Sequence, residues 1–268
     1  MVAVWVQNWE AQIEGSVLAA EIKIIGINGI PEIKTGMNLS ELILQAARAQ
    51  GSPIQERDIL MVTQKIVSKA EGQLVDLSTV TPSHLAKEWA QTYDKDPRVI
   101  EVAFQESRRL SRMDKGVLVT ETHHGFHCVN AGVDVSNIPG SEMVALLPRD
   151  PDGSAKKIRE DIHQATGFEV AVVITDTWGR PWRHGVTNVA IGASGIAPLE
   201  DYRGTTDVFG YELHGTAVAV VDELAAASEL VMGKVDMVPV ALVRGYPYVF
   251  SLGNVKDLLR EPDNDLFR

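Results

Sequence analysis

Three stretches of this chain hold residue types that can do chemistry together. In Ile174-Thr175-Asp176-Thr177-Trp178-Gly179-Arg180-Pro181-Trp182-Arg183-His184-Gly185, an apolar run from Val170 to Ile174 ends in an acid and a hydroxyl. Two arginines and a histidine follow. A carboxylate and a hydroxyl at a strand end can hold a hard cation, and arginine forks fit phosphate or carboxylate oxygens. The same residues also suit a strand end whose polar groups cap the next turn. A second acidic stretch, Val129-Asn130-Ala131-Gly132-Val133-Asp134-Val135-Ser136-Asn137, also follows an expected strand. Asp134 and Asp176 are expected just past strands, and neighbouring strands would let them share one magnesium or manganese ion. Capping of a turn by Asp134 and Asn137 is the alternative. Third, Lys65 and Lys69 flank Ser68. Four residues apart on a helix they share a face, which suits an anion between them or a solvated basic surface.

Other polar groups carry less. In Met232-Gly233-Lys234 the lysine either complements a helix C-terminus or bends back onto a phosphate. His123 and His124 fall in a hairpin turn, where adjacent side chains diverge, and His127 follows closely, so the three form a poor metal set. Trp178 and Trp182 can stack on a flat ring or fill core. Cys128 is the single cysteine. It excludes an intrachain disulfide and a cysteine-based zinc site, and it fits a reducing, cytoplasmic location.

The elements that must position these groups read as follows. Glu21 to Ile27 is a strand, and Asn28-Gly29-Ile30-Pro31 is a turn. Asn38 and Ser40 can cap a helix with Leu42, Ile43, Ala46 and Ala47 on its apolar face. Ile59 to Thr63 is a short strand entering a polar-basic segment, Gln64 to Gly72. Helices are expected over Ser83 to Gln91 and Pro97 to Leu110, paired strands over Gly116 to Glu121 and Phe126 to Asn130, and a helix capped at Asp152-Gly153-Ser154 that ends at Gly167. Strands from Val186 to Ala193, Thr216 to Val221 and Met237 to Val243, with a helix from Asp222 to Met232, complete the core. The alternation lacks a regular βαβ rhythm, so the fold class is α+β, or an irregular α/β, with mixed sheets and flanking helices in one or two lobes. Residues 1–20 read as an N-terminal extension and residues 21–268 as the main domain.

Composition excludes several classes. The net charge of −11 opposes non-specific nucleic-acid binding, which depends on neutralising phosphates. No apolar run approaches the ~20 residues of a membrane span, and the N-terminus lacks the pattern of a signal peptide. There is no Walker-type loop, no Gly-x-Gly-x-x-Gly after a strand and no Gly-x-Ser-x-Gly elbow.

Taken in order along the chain, several segments resemble one family, the coenzyme F420-0:L-glutamate ligases, or gamma-glutamyl ligases. They are Gly29 to Ile33, Val67 to Gly72, Val129 to Asn137, Leu147 to Ala155, Ile174 to Gly185, Ala190 to Gly195, Asp222 to Ala225 and Pro239 to Gly245. The resemblance covers about Glu21 to Arg268. It implies a GTP-dependent ligase with a family-specific fold. GTP phosphorylates the carboxylate of a deazaflavin's lactyl-phosphate tail, and the amine of L-glutamate attacks the acyl phosphate; further glutamates can join through γ-carboxyls. It also implies that Asp134 and Asp176 hold one divalent metal (Mg2+ or Mn2+) and Thr177 a second, with K+ as a further candidate ion. GTP contacts fall on Ile30, Pro31, Glu32, Ile33, Gln64, Lys65, Lys69 and Asn137, and on Met232, Gly233 and Lys234. Arg180 and Arg183 are candidates for phosphate or carboxylate contacts. Some members carry an acid for the second metal where this chain has Lys234, as bacterial members often do. The resemblance is to the bacterial stand-alone type, which lacks a C-terminal reductase domain and ligates only, and it implies a homodimer. A metal-dependent phosphohydrolase and a non-catalytic nucleotide-binding subunit are the competing readings.

Overall fold

The computed structural model describes residues 21–136 and 142–265. The expected N-terminal extension therefore lies outside the described residues, as does Asn137. The architecture is α+β. A central sheet of five strands has the order β1 (Lys23–Gly26), β12 (Val240–Arg244), β2 (Ile59–Thr63), β8 (Ala171–Arg180), β9 (Arg183–Ser194). All its neighbours are antiparallel except β2 and β8.

The middle of the sheet reads as it does because both faces are covered. Ile59 to Val62, Ala171 to Ile174 and Val240 to Val243 are inaccessible to solvent. Such strands show continuous apolar runs rather than alternation. Burying each valine or isoleucine contributes roughly 1.5–3 kcal/mol. Flanking helices are α1 (Leu39–Ala49), α5 (Pro151–Thr166) and α6 (Val220–Met232). Asn38 caps α1, accepting from Glu41 N at 3.2 Å, whereas Ser40 lies inside the helix and is buried. Asp150, rather than Asp152, caps α5, accepting from Gly153 N at 3.0 Å. The Asp152 carboxylate instead accepts from Ala193 N and Val255 N and ties them to the helix start. Gly167 ends α5 in the left-handed conformation, as expected.

A second buried cluster joins Leu77, Val102, Ala103, Leu118, Val133 and Val144. Around it lie β3 (Leu74–Asp76), α3 (His84–Tyr93), α4 (Pro97–Gln105), the three-stranded sheet β4 (Ser107–Asp114), β5 (Val117–Thr122), β6 (His127–Val129), and β7 (Met143–Ala145). The helix expected to reach Leu110 stops at Gln105. The Ser107 hydroxyl bonds the Ala103 carbonyl there, and the arginine-rich run after it pairs with β5 instead. The strand expected over Thr216 to Val221 shrinks to β11 (Ala217–Val218), paired with β10 (Glu200–Asp201), because Val220 already begins α6. The segment Gln64–Ala70 is a helix, α2, entered directly from β2.

Chain direction explains where a site can form. β1 and β2 run the same way and β8 runs parallel to β2, so three carboxyl ends meet at one edge of the sheet. β12 enters from that edge, and β9 starts there. Crevices at the carboxyl ends of parallel strands are where ligands bind in open sheets. No helix among the described residues is long and apolar enough to cross a membrane.

Candidate active site

At that edge lies a cavity of about 830 Å³. Its wall is built from the loop after β1 (Ile30, Pro31, Glu32, Ile33), the β2–α2 junction (Thr63, Gln64, Lys65, Lys69), Asp134 and Ser136, the outer half of β8 (Thr175, Asp176, Thr177), Asn188 of β9, Glu229 of α6, and the segment from Gly233 into β12.

Asp176 does not follow a strand; it lies within one. β8 continues to Arg180 and turns back into β9, whereas its neighbour β2 ends at Thr63, opposite Thr175. The next residues of β8 therefore lose their partner on that side and face the cavity. One extra residue on β9, between Ala190 and Gly192, forms a bulge at this point. Bulges re-aim side chains beside active sites. The bulge is pinned by α6, since Asp222 Oδ1 accepts from Ala190 N at 2.8 Å. Trp178 Nε1 donates to Asp176 Oδ2 at 2.9 Å, and its ring packs against Phe126. Trp178 thus belongs to the core and orients the acid.

Asp134 is delivered by a strained turn. Asn130, Ala131 and Gly132 all have positive φ, at 52°, 54° and 72°. Such runs cost energy for residues with a Cβ and persist where the surroundings enforce them. A Cβ on Gly132 would come within 2.7 Å of the Leu147 side chain. Asp134 then pairs in both directions with Ala145 through the backbone.

Two charge clusters result. At one end, Lys65 Nζ contacts Asp134 Oδ2 at 2.7 Å and Ser136 Oγ at 2.9 Å, while Ser136 donates to Asp134 Oδ1 through both N and Oγ. Burial works against the Asp134 carboxylate, but the Lys65 ammonium and the Ser136 donors outweigh it and hold its pKa below the usual value. Asp176 is pushed up to about 6. Burial is the chief cause, and the Asp134 charge adds to it against the donors from Thr177 and Trp178. Nearby, Lys69, only 5% exposed, holds Glu32 Oε1 at 2.6 Å. At the other end, Thr177, Asn188, Glu229 and Lys234 bond to one another. Lys234 Nζ lies 2.7 Å from Thr177 Oγ1, 2.7 Å from Glu229 Oε1 and 3.3 Å from Asn188 Oδ1. Thr177 Oγ1 donates to Asn188 Oδ1 at 2.7 Å, and Asn188 Nδ2 donates to Glu229 Oε2 at 2.6 Å.

Three residues expected at the site are placed elsewhere. Met232 is 1% exposed and packs in the core, because the end of α6 turns that side inward; only Gly233 and Lys234 reach the cavity. Arg180 and Arg183 sit at the tip of the β8–β9 hairpin, exposed and away from the cavity wall, with Arg180 Nη2 donating to the His184 carbonyl. Trp182, between them, is exposed rather than core. Cys128 is buried. Burial, aided by the Asp176 charge, pushes its thiol up to about 12, so it stays protonated. His123 and His124 each bond a backbone carbonyl. Among the described residues, no three His, Cys, Asp or Glu side chains converge as a metal set. Asn188, Glu229 and Ser136 were not anticipated from sequence.

The model of the F420-0:gamma-glutamyl ligase family matches residues 28–245. The chain belongs to this family. It is 44% identical over 250 residues to the coenzyme F420:L-glutamate ligase of Methanothermobacter thermautotrophicus, covering 92% of this chain and 99% of the relative. The protein of the same name from Methanocaldococcus jannaschii is 42% identical, with 92% and 97% covered, and that of Methanopyrus kandleri 41%, with 88% and 94% covered. These relatives are archaeal, whereas the sequence pattern pointed to the bacterial type. The matched span holds every cavity residue at the strand ends, from Ile30 to Pro239.

Proposed function

We propose that this chain joins L-glutamate to coenzyme F420-0 in a reaction driven by GTP, through an acyl phosphate. The observation that carries this reading is the convergence of Lys65, Lys69, Asp134 and Asp176 on one cavity in a chain of this family. Two ammonium groups beside two carboxylates suit a phosphate-rich substrate, and among the described residues no activated side-chain nucleophile faces them. Chemistry without a protein nucleophile fits a reaction in which one substrate activates another. The acceptor's carboxylate oxygen attacks the γ-phosphorus and GDP leaves. The glutamate amine then attacks the acyl carbon, phosphate leaves, and the amine proton passes to solvent. Most of the catalytic work is then positioning and charge stabilisation.

Asp134 and Asp176 would hold one divalent metal. The fit rests on their chemistry: hard oxygen donors, two like charges close together, and one carboxylate already strained toward protonation by its surroundings. When bound, such an ion neutralises charge on the phosphates. Substrate oxygens and water would complete the coordination, as is usual for magnesium. Lys65 and Lys69 would draw phosphate oxygens toward the Ile30–Ile33 loop, and Gly233 and Lys234 would border the same nucleotide. A second metal through Thr177 does not fit, because Lys234 already occupies the Thr177 oxygen. The working form would be a homodimer, which sedimentation analysis would test.

The test of the function is mass spectrometry of a complete mixture of acceptor, L-glutamate, GTP and Mn2+, with each omitted in turn. Glutamate-sized increments only in the complete mixture, with GDP formed alongside, are expected. GDP formation that ignores the acceptor and the amine would indicate a phosphohydrolase instead.

A further inference from the structure

We propose that the Lys234 ammonium stands in for a second divalent cation, so that each protomer works with one metal ion, at Asp134 and Asp176. The inference rests on the ligase reading above and concerns the other end of the same cavity.

An ammonium carries three N–H donors. Here Thr177 Oγ1, Glu229 Oε1 and Asn188 Oδ1 meet it at 2.7, 2.7 and 3.3 Å. These are the hard oxygens that would otherwise suit a divalent ion at this end of the cavity. Their own hydrogen bonds fix them around the lysine. Asn188 is turned by its amide donation to Glu229 Oε2, which leaves its carbonyl oxygen facing Lys234 and Thr177. Asn188 is only 2% exposed, so this arrangement is set by the fold and not by solvent.

The backbone also places the ammonium. α6 ends at Met232, and Gly233 follows with φ 61° and ψ −175°. That backbone conformation is one that glycine adopts readily and residues with a Cβ do not. That turn carries Lys234 back toward Glu229, one helical turn earlier, and across to β8 and β9. A divalent ion at the same oxygens would have to displace the ammonium or sit beside a like charge at contact distance, and the lysine would lose all three acceptors together.

The consequence is a difference in stoichiometry that a single substitution should reverse. Lys234→Glu removes the resident charge and adds a carboxylate to Glu229, Thr177 and Asn188. This set could bind a second ion and would be destabilised without one.

The experiment counts bound Mn2+ by electron paramagnetic resonance. The full-length chain is mixed with the non-hydrolysable analogue guanosine 5′-(β,γ-imido)triphosphate, in parallel with the Lys234→Glu and Lys234→Gln variants. Wild type should bind one Mn2+ per protomer, with no spin coupling between ions. Lys234→Glu should bind two, with coupling, and its melting temperature should rise further with added Mn2+ than that of wild type. Lys234→Gln, which removes the ammonium and leaves Glu229 uncompensated without adding an acid, should stay folded and show at least tenfold weaker second-ion binding than Lys234→Glu. Two coupled ions in wild type would overturn the proposal, as would a folded Lys234→Glu that still binds one. Wild type binding no Mn2+ would overturn the metal reading as a whole, whereas one ion without ligase turnover would count against the ligase reading alone.

Discussion

The two ends of the cavity solve opposite electrostatic problems. At the Thr177 end, one ammonium is ringed by three oxygens, and each of those partners is itself bonded. At the Asp134–Asp176 end, the carboxylates of Asp134, Asp176 and Glu32 outnumber the ammonium groups of Lys65 and Lys69, and Asp176 is pushed up to about 6. The first end is complete as it stands. The second is short of positive charge, and local electrostatic cost of this kind commonly marks the functional part of a site. A cation should therefore bind at one end and be excluded at the other.

The largest expected effect comes from Asp176→Asn. Ligation should fall by at least about 100-fold, the scale of losing one electrostatic group from a preorganised site. The same change should stabilise the metal-free protein at pH 7. Because the folded pKa of Asp176 lies above its unfolded value, the folded state binds the proton more tightly, and stability drops as pH rises from about 4 through about 6. Above that window the cost is full, at most about 3 kcal/mol. Thermal melts in chelator at pH 4 and pH 7 would check this: the Asn variant should melt higher at pH 7 and close to wild type at pH 4. An Asn variant no more stable than wild type at pH 7 would mean the acid is not under strain.

Lys69→Met should weaken nucleotide binding by roughly 10- to 100-fold, since a charge-assisted hydrogen bond contributes about 1.5–3 kcal/mol. Calorimetric titration of the GTP analogue would measure it. Unchanged affinity would confine Lys69 to its structural pairing with Glu32. Glu229→Gln should cost about 1–2 kcal/mol of stability by loosening both Lys234 and Asn188, with less effect on nucleotide affinity. Denaturant unfolding tests this, and a neutral outcome would show that the Thr177 end is not the self-satisfied cluster described. The smallest effect is expected from Arg180→Ala and Arg183→Ala. Both lie at an exposed hairpin tip, so nucleotide affinity should change by no more than about twofold. A loss of tenfold or more would show that the hairpin reaches a site in a second copy.

Much of this was legible in the sequence, for identifiable reasons. The buried strands over Ile59–Thr63 and Ala171–Ile174 announce themselves as apolar runs, and Gly167 marks the end of α5. Asp134, Asp176, Lys65 and Lys69 stand out because acids and lysines beside apolar strands are conspicuous. What was hidden depends on the third dimension. The extension of β8 to Arg180 comes from pairing with β9, which no local pattern records in a segment holding Gly179 and Pro181. The break of α4 at Gln105 needed the partner strand β5. Asn188 and Glu229 look like an ordinary strand polar residue and an ordinary helix acid. Only the sheet bulge and the packing of α6 bring them to Lys234. The inward turn of the Met232 side chain is hidden for the same reason, since a one-residue difference at a helix end decides between core and cavity.

The most direct measurement of the central claim follows an oxygen atom. The acceptor is prepared with 18O in its carboxylate and incubated with the protein, GTP, Mn2+ and L-glutamate. The expected result is product one glutamate heavier, released together with phosphate carrying one 18O, because the acceptor oxygen leaves with the γ-phosphoryl group. Glutamate addition with unlabelled phosphate, or labelled acceptor left unchanged while GTP is consumed, would contradict it.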